Sequence, residues 1–145
     1  MNDFVIRSDQ EFSLRFHSRK FGNDRWLDSY IVDIRARNFH ATFPVNNGRE
    51  GSSPNALFEE MVSNLDGWTG IKGWGALEGE YGLSASMDST GHVTLSLERH
   101  ANWEVPSWSC AFSLMIESGQ LSAIAADAEA FFSTRDFFRR QEKLA

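Results

Sequence analysis

The stretch NALFEEMVSNLDGWTGIKGWG, residues 55–75, sets a periodic apolar segment directly before a glycine-rich one. Leu57, Phe58, Met61, Val62 and Leu65 recur at helical spacing, with Glu59, Glu60 and Asn64 off their face, which predicts an amphipathic helix. Ser53 and Pro54 read as its N-cap and first-turn proline, and Gly67 as the glycine past its end. Four glycines and a lone Lys72 in residues 67–75 suggest a loop that cradles phosphates. Such a loop works because backbone N–H groups converge where a strand runs into a helix. Here the order is helix, glycines, strand, and Lys72 is followed by Gly73 rather than Ser or Thr. Context and spacing both argue against phosphate. The glycines read instead as a hard turn into a strand, with Trp68 and Trp74 packed over the sheet edge.

Strands flank this helix on both sides. Ahead of it FVIR is a short strand, and EFSLRFH alternates Phe12, Leu14 and Phe16 with Ser13 and Arg15. SYIVDI repeats the period with Tyr30, Val32 and Ile34, and NFHATF with Phe39, Ala41 and Phe43. KFGND (20–24) is a turn in which Gly22 and Asn23 can take positive φ. Beyond the glycines, LEGEYGLSASM puts Leu77, Gly79, Tyr81, Leu83, Ala85 and Met87 on one face. HVTLSLERH does the same with Val93, Leu95 and Leu97, and DSTG (88–91) joins the two as a hairpin. SWSCAFSLMI aligns Trp108, Cys110, Phe112, Leu114 and Ile116. A last helix starts near Ser118, with Leu121, Ile124, Ala125, Ala128 and Phe132 on one face. Short connections and clean alternation favour antiparallel pairing. The predicted class is therefore α+β, an antiparallel sheet of about seven strands with two helices packed on it in the order ββββαβββα. A β-sandwich with appended helices is the alternative. Phe12, Leu14, Tyr81, Leu83, Leu95, Phe112 and Leu114 are the expected core.

With 145 residues, 41% hydrophobic and 13% aromatic, the chain reads as one domain over 1–145, its basic tail from about residue 134 expected to fray. No run approaches the roughly 18 apolar residues of a membrane span. MNDFVIRSDQ lacks the marks of a signal peptide, and the single Cys110 leaves no internal disulfide, which points to the cytoplasm. The net charge of -6 is uneven: residues 50–134 carry 2 basic and 12 acidic side chains, against 8 and 6 in residues 1–49. An acidic centre repels nucleic acid and anionic membranes and favours a basic partner.

Candidate chemistry is sparse. Glu78 and Glu80, two apart on a polar strand face, would stand about 7 Å from one another, a glycosidase-like spacing that a solvated face explains as well. His92 and His100 share a strand face but are roughly 27 Å apart, too far to share a metal. No H-x-x-x-H or H-E-x-x-H spacing exists, so neither a metal nor a cofactor is expected. Cys110 falls among apolar neighbours as an inert thiol, and no G-x-S-x-G or S-x-x-K motif is present. Of the tryptophans, Trp108 fits the core alternation, and Trp103, beside Pro106, is the best exposed anchor. Phe131, Phe132, Phe137 and Phe138 exceed what one helix face can bury, so this C-terminal Phe-rich helix could pair with a twin subunit.

Gly67, Trp68, Gly70, Lys72, Trp74, Leu77, Glu78 and Gly79, followed by Asp88, Gly91, His92 and Val93, resemble an uncharacterised bacterial family, a domain of unknown function found mainly in actinobacteria. SGQL and AFF further on also fit, so the resemblance spans roughly residues 54–132. The chain departs from the family pattern at Leu65, where a Trp is common, and at Met87, where a His is. The resemblance implies no activity. The residues themselves favour a small cytosolic protein-binding domain, not an enzyme, and possible as an immunity-type inhibitor that neutralises a toxin. Glu78, Glu80, Asp88 and Glu98 would meet a basic surface, with Trp103 as anchor. A small-ligand or enzymatic domain with an unrecognised site is the alternative.

Overall fold

The computed structural model describes residues 3–8, 11–47, 53–76, 79–100 and 108–133. Four strands come first: β1 (Phe4–Arg7), β2 (Ser13–Phe21), β3 (Leu27–Ala36) and β4 (Phe39–Asn46). Helix α1 (Asn55–Val62) follows, then β5 (Lys72–Gly75), β6 (Tyr81–Met87), β7 (His92–His100) and β8 (Ser109–Glu117), a 3-10 turn at Ser118–Gln120 and helix α2 (Leu121–Phe132). The class is α+β, as expected, with every strand pair antiparallel. The strands divide into two sheets, β1-β2-β3-β4 and β5-β6-β7-β8, so the chain repeats one plan of four strands and a helix.

The eighth strand is β5, within the glycine-rich stretch. Trp74 packs its ring 5.1 Å from that of Tyr81, while Gly73 and Gly75 pair with Ser84 and Gly82 of β6. A Cβ on Gly82 would lie 3.1 Å from the Trp74 carbonyl, so this close approach needs glycine.

Helix α1 is too short to be stable alone, and burial of Leu57, Phe58 and Met61 holds it, at roughly 1.5–3 kcal/mol for each side chain. It stops before Gly67 where Asn64 Nδ2 takes the Glu60 carbonyl and the Asn64 amide turns instead to the Met61 carbonyl. Gly67, at φ +120°, then ends the turn that follows. In the β2–β3 turn the positive φ falls on Arg25, not on Gly22 or Asn23.

One core joins both sheets and both helices. Phe4, Phe16 and Tyr30 from the first sheet meet Phe58 of α1 and Phe131 and Phe132 of α2. The helices are thus core elements rather than appendages, which disfavours the sandwich reading. Phe131 and Phe132 are committed to this cluster; Phe137 and Phe138 lie outside the described residues. Of the expected core, Phe12 alone sits at the margin, packed against the cluster and only partly buried. Trp108 departs from expectation: it lies just before β8 and is 52% exposed.

The two sheets are also joined by a hydrogen bond between the hydroxyls of Tyr30 on β3 and Tyr81 on β6. Burial pushes both phenols well above their ordinary pKa, and the nearby Glu80 carboxylate adds to the effect. Arg99 of β7 stacks 4.9 Å over Phe43 of β4 and donates to the Glu80 carbonyl. No helix of the described residues is long and apolar enough to cross a membrane.

Candidate functional site

Two turns enclose a cleft of about 470 Å³. Leu65 to Thr69, between α1 and β5, form one wall, and Met87, Asp88, Ser89 and Gly91 of the β6–β7 turn form the other. Packing of α1 beside β5 sets the first wall. Trp68 Nε1 donates to the Ala85 carbonyl of β6, and the ring carries the Lys72 ammonium at 5.5 Å. Lys72 in turn pairs with Glu60 of α1 at 2.9 Å. The lysine that suggested a phosphate loop therefore ties the glycine segment to the helix.

The second wall is built on Asp88. Its Oδ1 accepts from the Thr90 hydroxyl (2.7 Å), the Thr90 amide (2.9 Å) and the His92 amide (3.0 Å). These bonds, the Thr90 hydroxyl foremost, hold the exposed carboxyl down at about 2. Gly91 turns the chain at φ +85°, where a Cβ would also press on the Ser118 hydroxyl at 3.1 Å. His92 stands beside the cleft between two carboxylates, its Nε2 3.1 Å from Glu117 and its Nδ1 3.4 Å from Asp88. The three do not converge on a point that could hold a metal ion, and no such cluster exists among the described residues.

The expected partner-binding residues do not form one cluster. Asp88 lies in the cleft. Glu98 is exposed on the outer face of β7, between Gly82 and Ala111 on the neighbouring strands. Glu80 was expected to face solvent, but β6 begins only at Tyr81 and Glu80 is half-buried beneath it. Its Oε2 and the Nε of Arg99 are buried without a hydrogen-bond partner among the described residues. Glu78 and Trp103 lie outside the described residues. Asp66, Trp68 and Glu117 are additions that charge patterning alone did not single out. Trp68, Asp88, Gly91 and His92 all belong to the run on which the family resemblance rests. Leu65 and Met87, the two departures from that pattern, both line the cleft.

A second cluster lies on the outer face of the first sheet. Ser18, in a β-bulge at φ 57°, places Oγ 2.8 Å from His17 Nδ1, and His17 Nε2 lies 2.9 Å from Asp33 Oδ2. With the imidazole proton on Nε2, Asp33 accepts it and Nδ1 accepts the Ser18 hydroxyl. Arg15 borders Asp33 at 3.7 Å and donates from Nε to Asp3 at 2.9 Å.

Among solved structures, that of MRP1/MRP2 from Trypanosoma bruciei is similar at 12% identity, covering 87% of this chain and 81% of that one, with a TM-score of 0.46. No curated protein matches the sequence. A family profile does match, over residues 5–135, and the chain belongs to DUF6228, a family of unknown function.

Proposed function

We propose that this is a cytoplasmic protein-binding domain that meets the basic surface of a partner protein, in the manner of an immunity-type inhibitor. One observation carries the reading. Residues 50–134 hold only two cations, Lys72 and Arg99, and both turn inward, one onto Glu60 and Trp68 and the other onto Phe43 and the Glu80 carbonyl. The carboxylates this half brings to its surface include Asp66 and Asp88 in an open cleft, Glu117 beside His92, and Glu98 toward the other end of β7. Such a face steers a basic protein toward it and repels nucleic acid and anionic membranes. The cleft offers such a partner shape and, in Trp68, an aromatic wall.

The test is affinity capture from the native host, followed by surface plasmon resonance against the captured partner at two salt concentrations. Asp66→Lys and Glu98→Lys should lower the association rate and flatten its salt dependence. Trp103→Ala should raise the dissociation rate, at a cost on the order of 2 kcal/mol. Unchanged rates in all three folded variants remove these residues from the binding surface.

The Ser18–His17–Asp33 chain favours a second reading, a hydrolase acting on an activated ester. The Ser18 hydroxyl would attack the acyl carbon, passing its proton to His17 Nδ1 while Asp33 steadies the imidazolium; the ester's C–O bond would then break with that proton going to the departing alcohol, and water, deprotonated by His17, would release the acid from Ser18. It ranks second because Ser18 stands exposed on an open sheet face, where water screens the charges that must be stabilised. Ester hydrolysis lost in Ser18→Ala and in Asp33→Asn supports it; a rate equal to buffer for the wild type discards it.

A further inference from the structure

Four strands end the two sheets, β1 and β4 in one and β5 and β8 in the other. An edge strand carries a row of unpaired N–H and C=O groups, and proteins that stay monomeric blunt it by shortness, proline, charge or a bulge. Three of these edges are blunted. β1 and β5 are four residues long, and β4 carries Pro44, which has no N–H to offer a neighbour. β8 is different. It runs nine residues, SCAFSLMIE, with no proline, no cation and one charge at its last position. Its ladder with β7 continues from Ser109 to Glu117 without a register shift, so no bulge turns the edge aside. Among the described residues nothing pairs with its other side. The solvent-facing side chains of this edge include Met115, 52% exposed, and Trp108 just before it is equally so.

We propose that β8 is a self-association strand. A second copy of the chain lays its own β8 antiparallel alongside, with the twofold axis beside Ser113, and the two four-stranded sheets become one of eight strands. The strand is self-complementary in that register. On the outer face Ser113 meets its own copy, Ala111 meets Met115, and Ser109 meets Glu117. On the inner face Phe112 meets Leu114 and Cys110 meets Ile116. Each large side chain on the outer face thus meets a small one, and the single carboxylate meets a hydroxyl rather than its own copy. All nine residues pair, and core-facing residues stay on the core side, as sheet continuity requires. The outer face favours the same axis. Gly73, Ser84, Ser96 and Ser113 form one cross-strand row, so only hydroxyl-sized side chains approach the twofold from either copy. The Ser96 and Ser113 hydroxyls are already bonded to one another at 2.8 Å, which fixes Ser113 flat on the sheet. This is strand addition of the isologous kind.

Sedimentation of the full-length chain from micromolar to submillimolar concentration decides the point. The wild type should reach twice the monomer mass. Ser113→Lys places like charges face to face on the axis without touching the core, so it should sediment as a monomer with an unchanged thermal melt. Ser113→Cys should be joined into a covalent dimer by a short bifunctional thiol reagent, because directly opposed Cβ atoms lie about 4.5–5.5 Å apart. Wild-type Cys110, which faces Ile116, should not be joined. A wild type that stays monomeric throughout, as it would if another part of the chain covered the edge, overturns the proposal. So does a dimer that persists in Ser113→Lys, or one in which Ser113→Cys is not captured.

Discussion

The two halves of the molecule obey the same rule inside and different rules outside. Each is an antiparallel meander of four strands followed by a helix, and in each the alternate residues of the strands enter the shared core. The outer face of the first sheet is laced with ion pairs, among them Arg15 with Asp3 and Asp33 and His17 with Asp33. On that of the second, Gly73–Ser84–Ser96–Ser113 and Gly75–Gly82–Glu98–Ala111 run across as rows of small residues around one carboxylate, and the pairs of His92 with Glu117 and Asp88 gather at one end. Exposed ion pairs contribute only about 0–1 kcal/mol each, so neither pattern is explained by stability. The inner faces are constrained by folding. The outer faces are free to differ.

The sharpest way to break this comparison is to ask whether the two halves fold as one. Phe16 of the first sheet and Leu95 of the second are both almost fully buried in the same cluster. Phe16→Ala and Leu95→Ala should each destabilise by about 2–5 kcal/mol. Because the core is shared, each should shift one common denaturant transition followed by both far-UV circular dichroism and tryptophan fluorescence. Two separable transitions, with each variant moving a different one, would mean that the halves share contacts without sharing stability.

A smaller effect is expected at the seam. Tyr30 and Tyr81 are the only two tyrosines in the chain and bond to one another across the sheets. Tyr81→Phe leaves the Tyr30 hydroxyl buried without its partner, at a cost of about 1–3 kcal/mol. Replacing both by Phe should cost less than the two single changes together, since no orphaned hydroxyl remains. The alkaline limb adds an independent readout. Burial raises both phenols, so the folded state favours their neutral forms. Their contribution is complete below the ordinary tyrosine value of about 10 and is lost as the pH rises beyond it toward the raised folded values. Tyrosinate absorbance should therefore appear only together with unfolding. A tyrosinate signal at the ordinary pH, with the circular dichroism unchanged, would show the pair to be accessible and the seam to be loose.

Much of this plan was legible in the sequence, and the failures have physical causes. Period-two alternation located β2, β3, β4, β6, β7 and β8, because a half-buried strand writes its core face into every second residue. It could not divide them between sheets, since Leu14 and Leu95 carry the same pattern whichever neighbours pair with them. β5 was hidden because its outer positions are Gly73 and Gly75, which lack side chains to alternate; only Trp74 signals an inner face. Glu80 was misplaced because continuous alternation through residues 77–87 suggested a strand that in fact begins at Tyr81. The candidate cleft was legible as residues but not as a place. Trp68 and Asp88 stand twenty positions apart, and only the packing of α1 beside β5 and the Trp68 bond to Ala85 bring them to the same opening.

The smallest effect concerns that opening, and it tests whether the second half presents a fixed charge. Asp88 is exposed, yet its carboxyl is lowered to about 2, first by the Thr90 hydroxyl and then by the His92 and Thr90 amides. A carboxyl with a lowered folded value lends stability above its unfolded value of about 3.8, which fades as the pH falls toward about 2. Asp88→Asn keeps an oxygen to accept the turn's hydrogen bonds but removes the charge, so the stability of the variant should fall less steeply across that window. Thr90→Val removes the hydroxyl that lowers it most and leaves the backbone donors in place. Its Asp88 carboxyl, followed by carbon-detected NMR through an acid titration, should titrate at a higher pH than in the wild type and closer to the ordinary aspartate value. An unmoved midpoint in Thr90→Val would show that the backbone amides alone hold the charge. The acidic character of the cleft would then follow from the turn's geometry and not from its threonine, and any sequence that preserves the Asp88–Gly91 turn would present the same fixed carboxylate.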